Sequence, residues 1–149
     1  MPDDLDRLIL RMQRLPASAR VGALDEANAQ KLAYSEFGTV HEPPRPTLSA
    51  ATDRNVNAVY RAVERRLALV VAGKSTQTGQ DILADVAEDL AEEVQNEIDG
   101  NVQPALAAST LAARRRRGNA SERTLVDTDE MRKSIKVEAK RGDDGWPEE

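Results

Sequence analysis

The chain has 149 residues, 40% of them hydrophobic but only 3% aromatic, and a formal net charge of −5. That is the length of one domain, able to bury about 68–70% of the surface its unfolded chain exposes, with an interior drawn mainly from Leu, Val, Ile and Ala. The absence of cysteine and the single histidine, His41, exclude a disulfide framework, thiolate metal sites and most histidine-based chemistry, and the negative charge argues against wholesale coating of DNA.

Leu5, Leu8, Ile9 and Met12 follow i, i+3, i+4, i+7, with Asp3, Asp4 and Asp6 at the start and Arg11 and Arg14 towards the end. This predicts a short amphipathic helix, charged as its dipole favours and closed by Pro16. The acidic N-terminus is unlike the basic start of a secretory signal, and no apolar run reaches the length of a membrane span, so a soluble chain without a membrane partner is expected. Residues 19–24 alternate weakly, with the character of a strand. Asp25 is placed to cap a helix from Glu26 to Phe37.

The stretch 34–46, YSEFGTVHEPPRP, is the least generic part of the chain. Tyr34 and Phe37 share a helical face and are expected to plug into a core, and Gly38 to end the helix. Pro43, Pro44 and Pro46 forbid helix and predict a stiff extended arm over residues 40–48, with Arg45 held outward. Such an arm is either a surface connector or a pre-stiffened segment suited to insertion between subunits.

Thr52 or Asp53 is expected to cap the next helix, with Val56, Val59, Tyr60, Val63, Leu67 and Val70 on one face and Arg54, Arg61, Arg65 and Arg66 on the polar face. Gly73 to Gly79 reads as a loop. A helix over about 80–99 places Ile82, Leu83, Val86, Leu90, Val94 and Ile98 together. Its other face carries Asp81, Asp85, Glu88, Asp89, Glu92, Glu93, Glu97 and Asp99. The two charged faces are either solvated or meet each other, within one chain or between copies. A wholly acidic outer face would also suit the wall of a channel along which DNA slides.

Gly100 and Pro104 break the pattern. Ser109 is expected to cap a short helix that ends in Arg114, Arg115, Arg116 and Arg117 before Gly118. Residues 124–126 and 134–139 read as short strands around a turn opened by Asp127, whose spacing to Glu130 resembles a capping box. The chain is expected to be a single domain over 1–139, with a flexible tail over 140–149. Trp146 in that tail is either part of a disordered end or a docking residue.

Gly73-Lys74-Ser75 contains the G-K-S of a phosphate loop, but Ala68 stands where that loop needs a glycine, so no nucleotide site is expected. Asp127, Asp129 and Glu130 could hold a hard cation, yet a capped turn is the better reading, since no partner base or nucleophile accompanies them. His41 reads as a solvated loop residue. Arg114 to Arg117 are the best candidates for contact with nucleic acid. If all four neutralised a phosphate, log K would fall with log salt at a slope of about −3.6.

Glu36-Phe37-Gly38-Thr39 followed by Pro43-Pro44-Arg45-Pro46 resembles the E-F-G-T…P-x-R-P signature of tail-completion and virion-morphogenesis proteins of tailed bacteriophages, the group that includes the minor tail protein Z family. The run from Leu125 to Ile135 is similar to that family's L-x-D-T-G-x-M/L-x-x-S-I pattern, and Ser109-Thr110-Leu111 before the arginines to its S-x-T-[LI]-x-x-[RK] element. The resemblance spans roughly residues 19 to 137. Thr47 stands where the family usually has an aromatic, and Asp129 replaces the glycine of D-T-G.

The expected fold is α+β, a small, mostly antiparallel sheet packed on one face by two long amphipathic helices, with a protruding proline-rich arm. The resemblance implies a non-enzymatic virion component of the head–tail connector, assembled in the host cytoplasm as a sixfold or twelvefold homo-oligomeric ring. It implies tail-tube and neck proteins as partners and needs no cofactor. Its interface candidates are Phe37, Pro43, Pro44, Arg45, Pro46, Arg114 to Arg117 and Trp146. The alternatives are a tail terminator, a head-closure protein, or a DNA-binding accessory protein that uses Arg114 to Arg117 on packaged DNA.

Overall fold

The computed structural model describes residues 3–100, 102–122 and 129–142. In chain order these form α1 (Asp4–Met12), β1 (Ala17–Ala23), α2 (Glu26–Phe37), α3 (Leu48–Val71), α4 (Gly79–Asp99), α5 (Ala108–Arg116), α6 (Glu130–Ser134) and β2 (Ile135–Arg141). β1 and β2 pair as a two-stranded antiparallel sheet, and the class is α+β, as the sequence predicts. Two compact units divide the chain. One comprises Met1–Val21, Val56–Asp89 and Val137–Glu149; the other comprises Gly22–Asn55 and Leu90–Lys136.

In the first unit, α3 ends in a left-handed glycine cap. Gly73 has φ 72°, the Lys74 N–H reaches the Leu69 carbonyl at 2.8 Å, and the Gly73 N–H reaches that of Val70 at 3.0 Å. This pair of bonds is the Schellman motif, so the glycine of the G-K-S sequence ends a helix. The Arg11 guanidinium donates to the Val71 carbonyl at 3.2 Å and covers Gly73. Arg14 donates to the Thr76 carbonyl at 3.4 Å. Both contacts fasten the end of α1 to the loop after α3.

α4 then starts against the chain that leads into β1. Thr78 and Asp81 cap each other, the Asp81 carboxylate accepting both the Thr78 N–H and its hydroxyl at 2.7 Å. These two bonds, the N–H foremost, hold the Asp81 carboxyl below its ordinary value. The Gly79 N–H donates to the Arg14 carbonyl at 2.9 Å. Ile82, Val86, Ala87 and Val70 form the unit's buried core, and Gln80 donates to the Ala139 carbonyl of β2 at 3.0 Å. Across the sheet Arg20 pairs with Glu138 at 2.8 Å.

In the second unit, α2 begins at Asp25 as expected, with the Asn28 N–H donating to the Asp25 carboxylate at 3.0 Å. That N–H first, and the Asn28 amide next, lower the Asp25 pKa. Leu32, Ala51, Ala91, Val94, Ile98 and Ile135 are buried. The expected apolar face of α4 is therefore borne out, with Leu83 and Leu90 half-buried beside it. α6 lies on α2 through Lys31 and Glu130, 2.9 Å apart, and Arg132 bonds Asp99 at 2.8 Å.

Several local expectations are corrected. α3 starts at Leu48, four residues before Thr52, whose hydroxyl bonds back to the Leu48 carbonyl at 2.8 Å from inside the helix. α5 starts at Ala108 behind Ala107, with no side-chain cap from Ser109. α6 has Asp129 at its cap position without a side-chain bond, while Asp127 and the strand expected at 124–126 lie outside the described residues. β2 covers the other expected strand, except that Ser134 closes α6, and runs on to Arg141.

The entry into α4 gives a direct test of packing. A Cβ on Gly79 would lie 1.7 Å from the Leu15 carbonyl oxygen, a backbone atom that no side-chain rotation can move. Gly79→Ala is expected to cost about 1–3 kcal/mol in urea unfolding. Gly73→Ala, opposed by its positive φ and the flexible tip of Arg11, is expected to cost about 1 kcal/mol.

Candidate functional site

The E-F-G-T…P-x-R-P stretch forms a folded clamp in the second unit. α2 stops at Gly38, whose φ of 74° suits only glycine and whose N–H bonds the Tyr34 carbonyl at 2.9 Å. A Cβ there would meet the Glu42 carbonyl oxygen and the Pro44 nitrogen, each at 2.8 Å. The chain reverses at this point. The Thr39 N–H donates to the Glu42 carbonyl at 2.8 Å, and the Thr39 hydroxyl accepts the N–H groups of His41 and Glu42.

Pro43 and Pro44 then carry the backbone back beside the last turn of α2. The Arg45 N–H donates to the Ser35 carbonyl at 2.7 Å, and the Ser35 hydroxyl donates to the Arg45 carbonyl at 3.1 Å. Arg45 Nε donates to the Pro104 carbonyl at 2.9 Å, and the residue is only 9% exposed. This overturns the expectation of an outward arginine on a protruding arm. The prolines exclude helix, as predicted, but the extended segment is stitched to α2 and its arginine serves as an internal tie.

The tie ends at a carboxylate. Glu36, in the last turn of α2, accepts the N–H groups of Thr47 at 2.9 Å and Leu48 at 3.2 Å on Oε2, and that of Ser49 at 2.8 Å on Oε1. The Ser49 hydroxyl also donates to Oε1. These are first-turn donors of α3 that have no partner inside the helix. Burial works against the charge on Glu36, but the hydroxyl and the N–H bonds outweigh it, and its carboxyl is held below the ordinary glutamate value. Thr47 is fully buried, and its hydroxyl has no partner among the described residues.

The outer side of the clamp is apolar. Phe37 is 81% exposed and Val40 96%, with His41 exposed between the same turns. Tyr34 is also half out of the protein, its hydroxyl accepting from Gln30 at 2.9 Å. The expectation that Tyr34 and Phe37 plug into a core is thus reversed. The buried side of α2 is set by Asn28 and Leu32, with Ser35 and Glu36 partly covered along the same face. Pro43, Pro44 and Pro46 are exposed along the clamp.

The arginine run does not act as one patch. Arg114 is buried and donates to the Ser121 carbonyl, Arg115 pairs with Glu122 at 2.6 Å, and Arg116 Nε bonds back to the Ala112 carbonyl. Gly118, with φ 78°, ends α5, its N–H bonding the Arg115 carbonyl while the Asn119 N–H bonds that of Arg114, each at 3.0 Å. The burial of Arg114 removes the basis for a four-phosphate contact. Trp146 lies outside the described residues.

The basic and acidic helices do meet within the chain. Arg54 bonds Glu97 in the second unit, and Arg66 lies 3.9 Å from Asp85 in the first. Glu88, Asp89, Glu92 and Glu93 stay exposed. Among the described residues no group of three or more His, Cys, Asp and Glu side chains could hold a metal ion, and no helix is long and apolar enough to cross a membrane. No family model, curated protein or solved structure matches the chain.

The charge of Glu36 is testable by pH. Because its folded pKa lies below 4.5, the stability it contributes is complete above about pH 4.5 and is lost as pH falls through the depressed folded value. Glu36→Gln is expected to lose about 1–2 kcal/mol at neutral pH, as for a lost helix cap. Its deficit relative to the parent chain should shrink in acid, read from urea melts across that range. Thr47→Val, which removes an unpaired buried hydroxyl without changing shape, is expected to gain about 1 kcal/mol.

Proposed function

We propose that this chain is a structural subunit of a tailed-phage neck, a tail-completion or joining protein that assembles as a ring at the head–tail junction and makes contact with tail-tube and connector proteins. The observation that carries the reading is the clamp. Three residues of the phage-like signature have structural tasks suited to their types: Glu36 caps α3, Gly38 leaves room for the returning chain, and Arg45 ties that chain inward. What the clamp holds outward is a hydrocarbon tip, Phe37 and Val40, suited to a protein partner.

A second feature supports the same family. Asp129 has φ 57°, the left-handed region that glycine favours, at the position where the family pattern carries the glycine of D-T-G. The sequence departs from the pattern there while the backbone keeps the conformation a glycine would serve. Thr47, at the family's aromatic position, sits buried beneath the start of α3.

The terminator and head-closure roles remain within the same proposal, since they differ in which ring the protein covers. The DNA-binding reading is weaker, because Arg114 is buried and Arg115 is paired. Duplex binding by the purified chain with a salt slope near the four-phosphate value of about −3.6 would restore it.

The deciding experiment is electron microscopy of particles made when the gene is disabled in the phage that encodes it. Full heads with separate tails of normal length are expected. Overlong tails would make the protein a terminator, leaking heads would make it a closure protein, and normal particles would refute the structural role. In the intact phage, Phe37→Ser should shift unfolding by no more than about 0.5 kcal/mol, as a surface change does, yet reproduce the defect of the disabled gene.

A further inference from the structure

α1 repeats apolar residues along one face, yet none of its residues is buried. Leu5 is 62% exposed, and Ile9, Leu10 and Met12 are each about half or more exposed. Only Leu8 and Arg11 are partly covered, so the helix rests on its flank and turns its apolar stripe away from its own unit. It is held there by Arg11 on the Val71 carbonyl, Arg14 on the Thr76 carbonyl and the Gly79 N–H on the Arg14 carbonyl. Fastened in this way, the stripe stays off the core of its own unit.

The first unit also carries a surface that fits it. The outward side of α3 carries Tyr60, 68% exposed, beside Arg61, Glu64 and Arg65, and the last three line an open cleft of about 390 Å³ with Ala58. Tyr60 offers a large apolar face beside these charges. Arg61 and Arg65 are exposed, and among the described residues no ion pair joins either to a carboxylate. The N-terminal turn of α1 carries Asp3, Asp4 and Asp6 beside Leu5, so its charge and apolar content both complement this face.

We infer that α1 docks on the outward face of α3 of a second copy of this chain, its apolar stripe covering Tyr60 and its acidic first turn meeting Arg61 and Arg65. The two patches differ, so the contact is heterologous and generates a ring where the rotation closes, a filament where it does not, or a dimer when two copies exchange helices. The inference rests on the self-assembling part of the neck reading and names the surface that performs it.

The test is the size of the purified full chain by sedimentation, compared with Leu5→Glu/Ile9→Glu and Arg61→Glu/Arg65→Glu variants. The parent chain is expected to be oligomeric, and each variant to weaken association by roughly tenfold or more, a change of about 1.4 kcal/mol. Both variants should keep the parent helix content by circular dichroism, since they alter exposed positions. Adding Asp4→Arg to the Arg61→Glu/Arg65→Glu chain should recover part of the association by restoring opposite charges. Asp4 is chosen because Asp3 and Asp6 form the capping box of α1.

A parent oligomer unaffected by either variant would overturn the docking while leaving the neck reading to the particle phenotype. A parent chain that stays monomeric would overturn it as well, and recruitment of that monomer to anionic vesicles would assign the stripe to a lipid surface. Loss of association in the α1 variant alone, with Arg61→Glu/Arg65→Glu unchanged, would refute α3 as the acceptor.

Discussion

The second unit turns on one carboxylate. A helix begins with N–H groups that lack partners, and burying them unpaired costs more than most single contacts return. α3 meets that requirement with a side chain from the preceding helix, since Glu36 gathers donors from Thr47, Leu48 and Ser49. The end of α2 is thereby bound to the start of α3, and the segment between them has to double back. Gly38 follows from that geometry because a side chain would strike the returning backbone, and the internal position of Arg45 follows because the returning strand runs beside Ser35.

Signals carried by neighbouring residues were legible in the sequence. Asp25 caps α2 through the residue three positions on, and the face of α4 from Ile82 to Ile98 is buried at helical spacing. Both depend on the local period of a helix, which the sequence displays directly. The cap of α3 was not legible, because its acceptor lies eleven to thirteen residues upstream and no spacing rule joins them. Thr52 and Asp53 offered the right residue types but lie inside α3, which already starts at Leu48. Arg45 was misplaced for a related reason. Its charge argues for solvent, and only the Pro104 carbonyl, far along the chain, makes an inward position favourable.

Apolar residues gave the opposite error. Tyr34 and Phe37 were expected inside because their spacing matches a buried face, but spacing shows only that a face is apolar, and what covers it depends on the rest of the fold. α2 already has a buried side at Asn28 and Leu32, and α1 is fastened by arginines near its end. The signature therefore carried information of two kinds. Glu36, Gly38 and Arg45 hold the clamp together, whereas Phe37 and Val40 are left on its outer side, where a core-forming role gives no account of them.

That division bears on why a domain with so few aromatics would leave them exposed. Phe37, Tyr60 and Tyr34 all show half or more of their surface to solvent, while the buried core is built from Ile, Val, Leu and Ala. An aromatic ring contributes more apolar area than any aliphatic side chain, so a chain selected for stability as a monomer would place its few rings inside. Their surface, together with that of Leu5, Ile9 and Met12, is what the proposed association would bury. The charges point the same way: Arg54 and Arg66 are matched by Glu97 and Asp85 within the chain, whereas Arg61 and Arg65 face outward. Exposed ion pairs contribute little to stability, but unmatched charges beside an apolar face exclude wrong partners and set the register of the right one. A surface made in this way is better suited to orienting a neighbour than to holding a monomer together.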